Sequence, residues 1–293
     1  MPSKNETSAS TSSSETNSKR TERMLKAWEF LVHVTKHRSR FFFHSLADHK
    51  DDSPMKVLET IRKISKPLGM LKDLHVGDVF YRARHYDGTW PINATSELLA
   101  PPAKLARAGR MNPAGISYLY LAEKPQTALV EVRPKPGCET VVAEFEITRA
   151  LTLLDLTDLS CPTTEKNGIT EKHLRARNDV MPFLQEFVKA ISSPVEQDGR
   201  EHIDYVPSQI VCEYFSQAHS IYGENDPKGN PPPRIHGIRF SSSLHSGGIN
   251  VVLFPSMPSD TDGGHEDWVV RTKRPLEFHS VKSWADVGRL ILE

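Results

Sequence analysis

The sequence predicts an α+β fold in which helices and strands are mixed along the chain. Three observations lead to this class. Apolar residues recur at helical spacing near the N-terminus. Short segments typical of strands, some with alternating apolar and polar residues, follow from residue 79 onward. These strands do not alternate regularly with helices, as they would in a doubly wound parallel sheet.

The N-terminal part is predicted to be a tail followed by a small helical extension. Residues 1–22 are rich in Ser, Thr and Asn and nearly free of large apolar side chains, so we expect a disordered tail. An apolar stripe predicts a helix over 22–36. A second helix is predicted over 54–64, with Ser53 as its N-cap and a proline at its first position. The extension then occupies residues 23–75.

Residues 76–293 are predicted to form the main domain. Strands are predicted over 79–84, 118–122, 141–147, 151–156, 235–240 and 249–254, with one or two more between 267 and 281. Helices are predicted over 125–132, over 171–191 and after Pro207. The Pro- and Gly-rich segment 222–234 is predicted to be a loop.

Composition and charge exclude several classes of protein. The 293 residues carry equal numbers of basic and acidic side chains, 37 each, which argues against a duplex-DNA binder with a broad basic face. No apolar run approaches the roughly 20 residues of a membrane helix, and the N-terminus lacks the apolar core of a secretory signal. Cys138, Cys161 and Cys212 lie far apart and form no C-x-x-C pair. We therefore expect a cytoplasmic protein without contacts to nucleic acid or membrane.

Common catalytic motifs are missing, and a metal site is the weaker of two explanations for the N-terminal histidines. The sequence has no G-x-G-x-x-G, Walker, H-E-x-x-H or G-x-S-x-G motif. His33 and His37 are spaced to share a helix face, with His44 and His49 shortly after. Because no carboxylate completes a ligand set, we interpret them as surface residues and predict no metal.

Four polar residues occur in segments that otherwise read as ordinary strand and helix. They are Arg82, Arg110, Tyr120 and Glu131. Arginine offers a planar fork of donors suited to phosphate oxygens. A carboxylate on the apolar side of a helix is costly unless it is paired. The structural explanation remains open: surface ion pairs for the arginines, ring packing for the tyrosine and an outward orientation for the glutamate.

Taken together, the motifs over residues 76–256 resemble the RES domain family. The first arginine of the family is matched by Arg82 in FYRAR, and Arg110 stands in GRMNPAG. The segment YLYLAEKPQTALVEV contains Tyr120 and Glu131. DYVPSQIVCEY resembles the helix before the last motif. HGIRFSSSLHSGGINVVLF resembles the closing block and places the family serine at Ser242, with Ser241 and Ser243 one register away.

The resemblance implies an ADP-ribosyltransferase-like fold, with a mixed or antiparallel β core and flanking helices. It also implies a toxin-type enzyme that breaks the nicotinamide–ribose bond of NAD+ by phosphorolysis or hydrolysis, with an Xre-type antitoxin as partner. It requires no prosthetic group; NAD+ is the substrate and inorganic phosphate a candidate co-substrate.

The implied roles divide the site between substrate binding and catalysis. Arg82 and Arg110 bind the pyrophosphate or incoming phosphate, and Tyr120 stacks on nicotinamide or its ribose. Glu131 accepts from the ribose hydroxyls and stabilises the developing positive charge, while Ser242 orients the nicotinamide ribose.

Two alternatives to this function stay open at this stage. One is transfer of ADP-ribose to a macromolecule; the other is a nucleotide-binding or interaction module without catalysis. The helical extension and the long segment 218–234 depart from a minimal family member and could reshape the pocket or bind a partner. A homo-oligomer is compatible with the sequence.

Overall fold

The computed structural model describes residues 7–43, 53–91, 95–159, 169–193, 199–221, 234–255, 265–283, 285–287 and 290. The helices are α1 (Thr7–His37), α2 (Pro54–Ser65), α3 (Thr95–Leu98), α4 (Pro125–Glu131), α5 (Glu171–Ser192), α6 (Glu201–Asp204) and α7 (Val206–Ile221). The strands are β1 (Leu71–Leu74), β2 (Val79–Tyr86), β3 (Leu119–Ala122), β4 (Glu139–Ile147), β5 (Leu151–Asp155), β6 (Gly237–Ser241), β7 (Ile249–Leu253), β8 (Val269–Arg271) and β9 (Glu277–Ser280). Among the described helices, none has the length and apolar character needed to cross a membrane.

The nine strands of the described residues belong to one mixed sheet, which confirms the predicted α+β class. The strand order is β1-β5-β6-β7-β3-β2-β4-β8, and β9 also pairs with β4. Among these described strands the β5–β6 pair is parallel and the other pairs are antiparallel. The family resemblance implied a mixed or antiparallel β core, and this topology agrees with that expectation.

The sheet is weakly joined between β2 and β3. Strand β2 pairs with β4 over eight residues, from Val79 to Tyr86. It pairs with β3 only through Tyr81 and Ala122. Because a ladder normally continues along both strands, this single pair leaves backbone groups of β3 available to side chains. The carbonyl of Tyr120 is one of these groups, and Arg82 contacts it.

Alternation along the strands separates two apolar cores. One face carries the larger core, which includes Phe80, Leu119, Leu121, Phe145, Val251 and Leu253. The other face packs Ala83, Ala122 and Val142 against Ala128 and Leu129 of α4. Since successive side chains of a strand point to opposite faces, Tyr120 and Asn250 share the face covered by α4.

The chain divides into two compact units. One contains α1, α2, α6 and nearly all of α5, and in it Trp28 packs edge-on against Phe183 with ring centroids 5.2 Å apart. The other contains the whole sheet, α3 and α4. Helix α7 is divided between the two at Cys212. The sequence predicted a different division, into a tail over 1–22, an extension over 23–75 and a domain over 76–293. That those segments fold as separate units stays a prediction.

Most elements agree with the sequence predictions within a few residues, and four differ. Helix α1 begins at Thr7 and so includes most of the segment predicted as a disordered tail; no apolar stripe marks this polar part. Strand β1 and helices α3 and α6 were not predicted, because four residues are too few to show a period. Ser53 is the N-cap of α2 as predicted, although its side chain makes no capping hydrogen bond. The predicted loop 222–234 lies almost entirely outside the described residues.

Candidate functional site

Glu131 is the last residue of α4, and its carboxylate is held by two donors from the neighbouring strands. The Ser242 hydroxyl and the Asn250 Nδ2 each donate to Glu131 Oε1, both at 2.6 Å. Among the described residues, none donates a hydrogen bond to Oε2. The side chain therefore points inward, half-buried, and only one of its two oxygens is engaged. The alternative that Glu131 points away from the fold is thus excluded.

The local sequence explains why α4 places Glu131 there. Pro125 occupies the first turn of the helix, and the next turn is buried from Thr127 to Val130. The helix ends immediately after Glu131, where Arg133 adopts a left-handed φ of +51°. This conformation is unfavourable for a residue other than glycine, by about 1 kcal/mol or more. Strain of this kind persists where the surrounding packing dictates the backbone, and it is often found beside functional groups.

Ser242 is the serine of its run that contacts Glu131; its assignment as the family serine stays a prediction. Its oxygen accepts the backbone N–H groups of Leu244 at 3.1 Å and His245 at 3.0 Å, while its hydroxyl donates to Glu131. Ser241 and Ser243 are exposed. Since the single proton of Ser242 is given to the carboxylate, the geometry favours a positioning role; direct contact with the nicotinamide ribose stays a prediction.

Asn250 was not predicted as a functional residue. It lies on β7 and is buried among apolar neighbours. A buried amide is costly unless it is hydrogen-bonded, and here Glu131 satisfies it. The one available signal was a polar residue within the apolar segment INVVLF.

A second unpredicted pair lies one helical turn from Glu131. The Thr127 hydroxyl and His245 Nδ1 share a hydrogen bond of 2.7 Å, and both side chains are buried. Thr127 is four residues before Glu131, so the two side chains lie on the same face of α4. The pair therefore joins α4 to the same β6–β7 connection that carries Ser242.

Tyr120 anchors the loop that carries Arg110. Its hydroxyl donates to Asn112 Oδ1 at 2.9 Å and accepts the backbone N–H of Met111 at 3.3 Å. The two N–H groups of Asn112 Nδ2 are shared among three carbonyls of its own loop, those of Arg107, Pro113 and Ile116. The phenol tip is thus engaged in the loop, and the half-buried ring shares a sheet face with Asn250. Leu119 and Leu121 face the larger core, so Tyr120 between them faces the other side of the sheet.

Arg110 is half-buried and donates to the backbone carbonyl of Ser193. Both of its neighbours in the chain lie close to the Tyr120 hydroxyl. Met111 donates its backbone N–H to that hydroxyl, and a β-carbon added at Gly109 would meet it. Arg110 therefore lies beside the residues that surround the Tyr120 hydroxyl, and its role as a phosphate ligand stays a prediction.

Arg82 places a guanidinium group where the sheet is open between β2 and β3. It donates to the Tyr120 carbonyl at 3.3 Å. As a residue it is half-buried, but its Nε is fully enclosed and has no hydrogen-bond partner among the described residues. Burial, and next the charge of nearby Arg84, lower the pKa of Arg82 to about 10. Arg84 itself forms an ion pair with Glu97 at 2.9 Å. The contact of Arg82 with Tyr120 is instead to a neutral backbone carbonyl.

The predicted site residues are brought together in two linked groups. Glu131 contacts Ser242 directly, and Arg82 reaches Tyr120 through a backbone carbonyl. Successive side chains of β2 point to opposite faces of the sheet, and Ala83 packs against α4. The side chain of its neighbour Arg82 therefore leaves the strand on the face opposite to α4. Within the described part of the chain, no hydrogen bond joins Arg82 to Glu131. A ligand that connects them would have to extend along the opening beside β3.

The histidines considered as metal ligands do not form a site among the described residues. His33 and His37 lie one turn apart on α1, with ring centroids 5.7 Å apart. No group of three or more His, Cys, Asp or Glu side chains gathers in the described ranges. His44 and His49 lie outside the described residues.

Comparison with known proteins identifies one family. The family model of the RES domain matches residues 79–271, which is more than half of the chain. The match begins with β2 and ends with β8, so it covers Glu131 and every residue described around it. No curated protein matches the chain.

Proposed function

The chain belongs to the RES domain family, and from this premise we propose that it cleaves the bond between nicotinamide and ribose in NAD+. Membership of the family supports a toxin-type, NAD-related function at the level of the family. The finer assignment rests on the chemistry of the site.

The oriented carboxylate of Glu131 is the observation that carries the proposal. Two neutral donors fix Oε1 at 2.6 Å each without cancelling its negative charge, as a lysine or arginine would. The second oxygen remains for a ligand. Loss of nicotinamide leaves oxocarbenium character on the ribose, and a pre-oriented anion stabilises such charge as it develops.

Arg82 supports an anionic substrate. Burying a cation without a carboxylate partner is unfavourable, and a phosphate group would supply that partner. The pyrophosphate of NAD+ offers four charged or polar oxygens of this kind. Arg110 stays the second predicted phosphate ligand, and Tyr120 the predicted stacking partner.

The reaction is balanced with either acceptor. The bond between nicotinamide N1 and ribose C1′ breaks, and its electron pair leaves with neutral nicotinamide. A C1′–O bond then forms to phosphate or to water, which gives ADP-ribose 1-phosphate or ADP-ribose, and the proton of the acceptor passes to solvent. Glu131 stabilises the cationic stage in both cases.

The test is to incubate the purified protein with NAD+, with and without inorganic phosphate, and to separate the products. We expect nicotinamide to be released without any acceptor protein. Glu131→Gln keeps the shape of the side chain and an oxygen that accepts both hydrogen bonds, so it should lower turnover by about 10²- to 10³-fold. Glu139→Gln, on an exposed residue of β4, is the matched control. No turnover of NAD+ by the wild-type protein would overturn the proposal, and turnover only with an acceptor would favour ADP-ribosyl transfer.

An Xre-type antitoxin is the partner that the family suggests. We propose that such a protein blocks the site when it is bound. Restoration of cellular NAD+ on co-expression with a candidate antitoxin is the expected outcome.

A further inference from the structure

The connection between β6 and β7 is fastened to α4 at two points. Ser242 binds Glu131, and three residues later His245 binds Thr127. The partners on α4 are four residues apart and lie on one face of the helix. The spacing on the connection thus matches one turn of the helix.

The second fastening is tightly enclosed. Thr127 is fully buried, and only 7% of the His245 surface is exposed. A methyl group at Gly248 would lie 2.8 Å from both His245 Nδ1 and Thr127 Oγ1, closer than such contacts allow. Glycine at 248 therefore permits the backbone of the connection to lie directly on the Thr127–His245 pair.

His245 also acts on Ser242 through its backbone. Its N–H donates to Ser242 Oγ at 3.0 Å, beside the N–H of Leu244 at 3.1 Å. With both acceptor sites of the hydroxyl occupied, its proton is directed at Glu131 Oε1. His245 therefore binds α4 through its ring and orients the Ser242 hydroxyl through its backbone N–H.

We propose that His245 is a positioning residue for Glu131. It is anchored by Thr127, and it acts through the hydroxyl of Ser242 to hold Oε1 and leave Oε2 directed at the substrate. This inference rests on the proposed function only for its kinetic effects. A merely structural pair would lower stability without a selective effect on turnover.

The first experiment measures NAD+ cleavage by Thr127→Val, which replaces the hydroxyl with a methyl group of similar size. We expect kcat to fall about tenfold with KM little changed, because the hydrogen bond that anchors His245, and through it Ser242, is lost. Thr127→Ser, which keeps the hydroxyl, should restore most of the rate. His245→Asn, which keeps a polar atom near the position of Nδ1, should retain more activity than His245→Leu.

The chain offers a matched control for these variants. On β4, buried Thr140 contacts His85 Nδ1 at 3.4 Å, a second threonine–histidine pair, which joins β4 to β2 and includes no residue of α4. Thr140→Val should leave kcat within about twofold of wild type. An equal loss in Thr140→Val and Thr127→Val would overturn the proposal.

A double-mutant cycle tests the route through Ser242. If His245 and Thr127 act by orienting that hydroxyl, Thr127→Val should have almost no further effect on kcat in a Ser242→Ala background. Independent, multiplicative losses would contradict the proposal.

A readout without substrate separates this inference from the proposed function. Hydrogen–deuterium exchange over residues 242–248 should be faster in Thr127→Val than in wild type, while the sheet elsewhere stays protected. If wild type does not turn over NAD+ but the exchange result holds, the proposed function fails and the fastening stands. If the exchange rate over residues 242–248 is the same in Thr127→Val as in wild type, the Thr127–His245 bond does not hold this connection in place, whatever the turnover of NAD+.

Discussion

Asn250 Nδ2 lies 2.6 Å from Glu131 Oε1, which joins a buried residue of the central sheet to the last residue of α4. The two are far apart in sequence, and each satisfies the other. The amide would be costly to bury alone, and without it the carboxylate would be held by Ser242 alone. The direction of the carboxylate is therefore set by the sheet as well as by the helix.

We predict that Asn250→Ala lowers kcat strongly and lowers the free energy of unfolding only slightly. A hydrogen bond to a charged group contributes about 1.5–3 kcal/mol, so kcat should fall by roughly 10- to 100-fold. Steady-state kinetics with NAD+ would measure the loss, and Asn178→Ala, at an exposed position of α5, is the control. Normal kcat in Asn250→Ala would mean that Glu131 does not depend on this donor.

Arg82→Met is predicted to stabilise the ligand-free protein while it weakens binding of phosphate compounds. Burial lowers the pKa of Arg82 to about 10, well below the ordinary value of an arginine, so the folded protein holds this proton less tightly than the unfolded chain. The unfavourable contribution is present in full below about pH 10 and is relieved only as the pH rises above that value. At neutral pH, removing the charge should raise the free energy of unfolding by on the order of 2 kcal/mol.

Thermal denaturation with and without pyrophosphate checks this prediction. Wild type should gain stability from pyrophosphate, and Arg82→Met should not. Arg84→Met is an informative contrast, because that arginine pairs with Glu97 and lies over Trp90, 5.6 Å from the ring centroid. Its removal should slightly lower stability. A lower melting temperature in Arg82→Met than in wild type would contradict the assignment of Arg82 as an unpaired buried cation.

Gly109→Ala is predicted to displace Arg110. A β-carbon at position 109 would lie 2.4 Å from Asn112 Oδ1 and 3.0 Å from the Tyr120 hydroxyl, so the bond between those groups must open. We expect KM for NAD+ to rise more than kcat falls, since the loop carries a predicted phosphate ligand.

Gly115→Ala is the control for this loop. It has a φ of +85° but open space around it, so it adds backbone strain of about 1 kcal/mol without a clash. If the two alanine variants have the same KM, the contact of Tyr120 with Asn112 does not position the loop for NAD+.

Sequence patterns located much of this site because its residues interrupt regular elements. Glu131 stands out as a carboxylate in an apolar helical turn, whereas Ser242 was placed within its serine run by the family resemblance. In the structure the two are in contact at 2.6 Å. Asn250 and the pairing of His245 with Thr127 were not predicted, because the local sequence does not encode the strand pairing that brings Asn250 and His245 to α4.

Other features depend on pairings that local sequence does not encode. The weak joint between β2 and β3, which leaves the Tyr120 carbonyl available to Arg82, arises from register. The early start of α1 at Thr7 has no apolar period to reveal it. Local patterns therefore identified the chemical groups, whereas the fold determined which group each of them contacts.

Arg239 is predicted to stabilise the sheet through a half-buried charge network. It donates to both oxygens of Glu123, at 2.6 and 3.1 Å, and to Asp155 at 2.9 Å and Thr157 at 2.7 Å. The pKa of Arg239 is raised, chiefly by its hydrogen bonds to Glu123. Burial acts in the opposite direction, and the negative charge of Asp155 raises the pKa further. A raised pKa of a base means that this stabilisation is present throughout neutral pH and is lost only as the pH rises through that value.

Arg239→Met should therefore leave two carboxylates half-buried without their cation. We expect the free energy of unfolding to fall by about 3 kcal/mol, measured by denaturant titration. Arg175→Met removes the partner of Glu171 from an ion pair with both side chains more than 70% exposed, and it should change stability by less than about 0.5 kcal/mol. High salt should reduce the small effect of the exposed pair more than the effect at Arg239. Equal and small losses in the two variants would show that the network at Arg239 behaves as an ordinary surface ion pair.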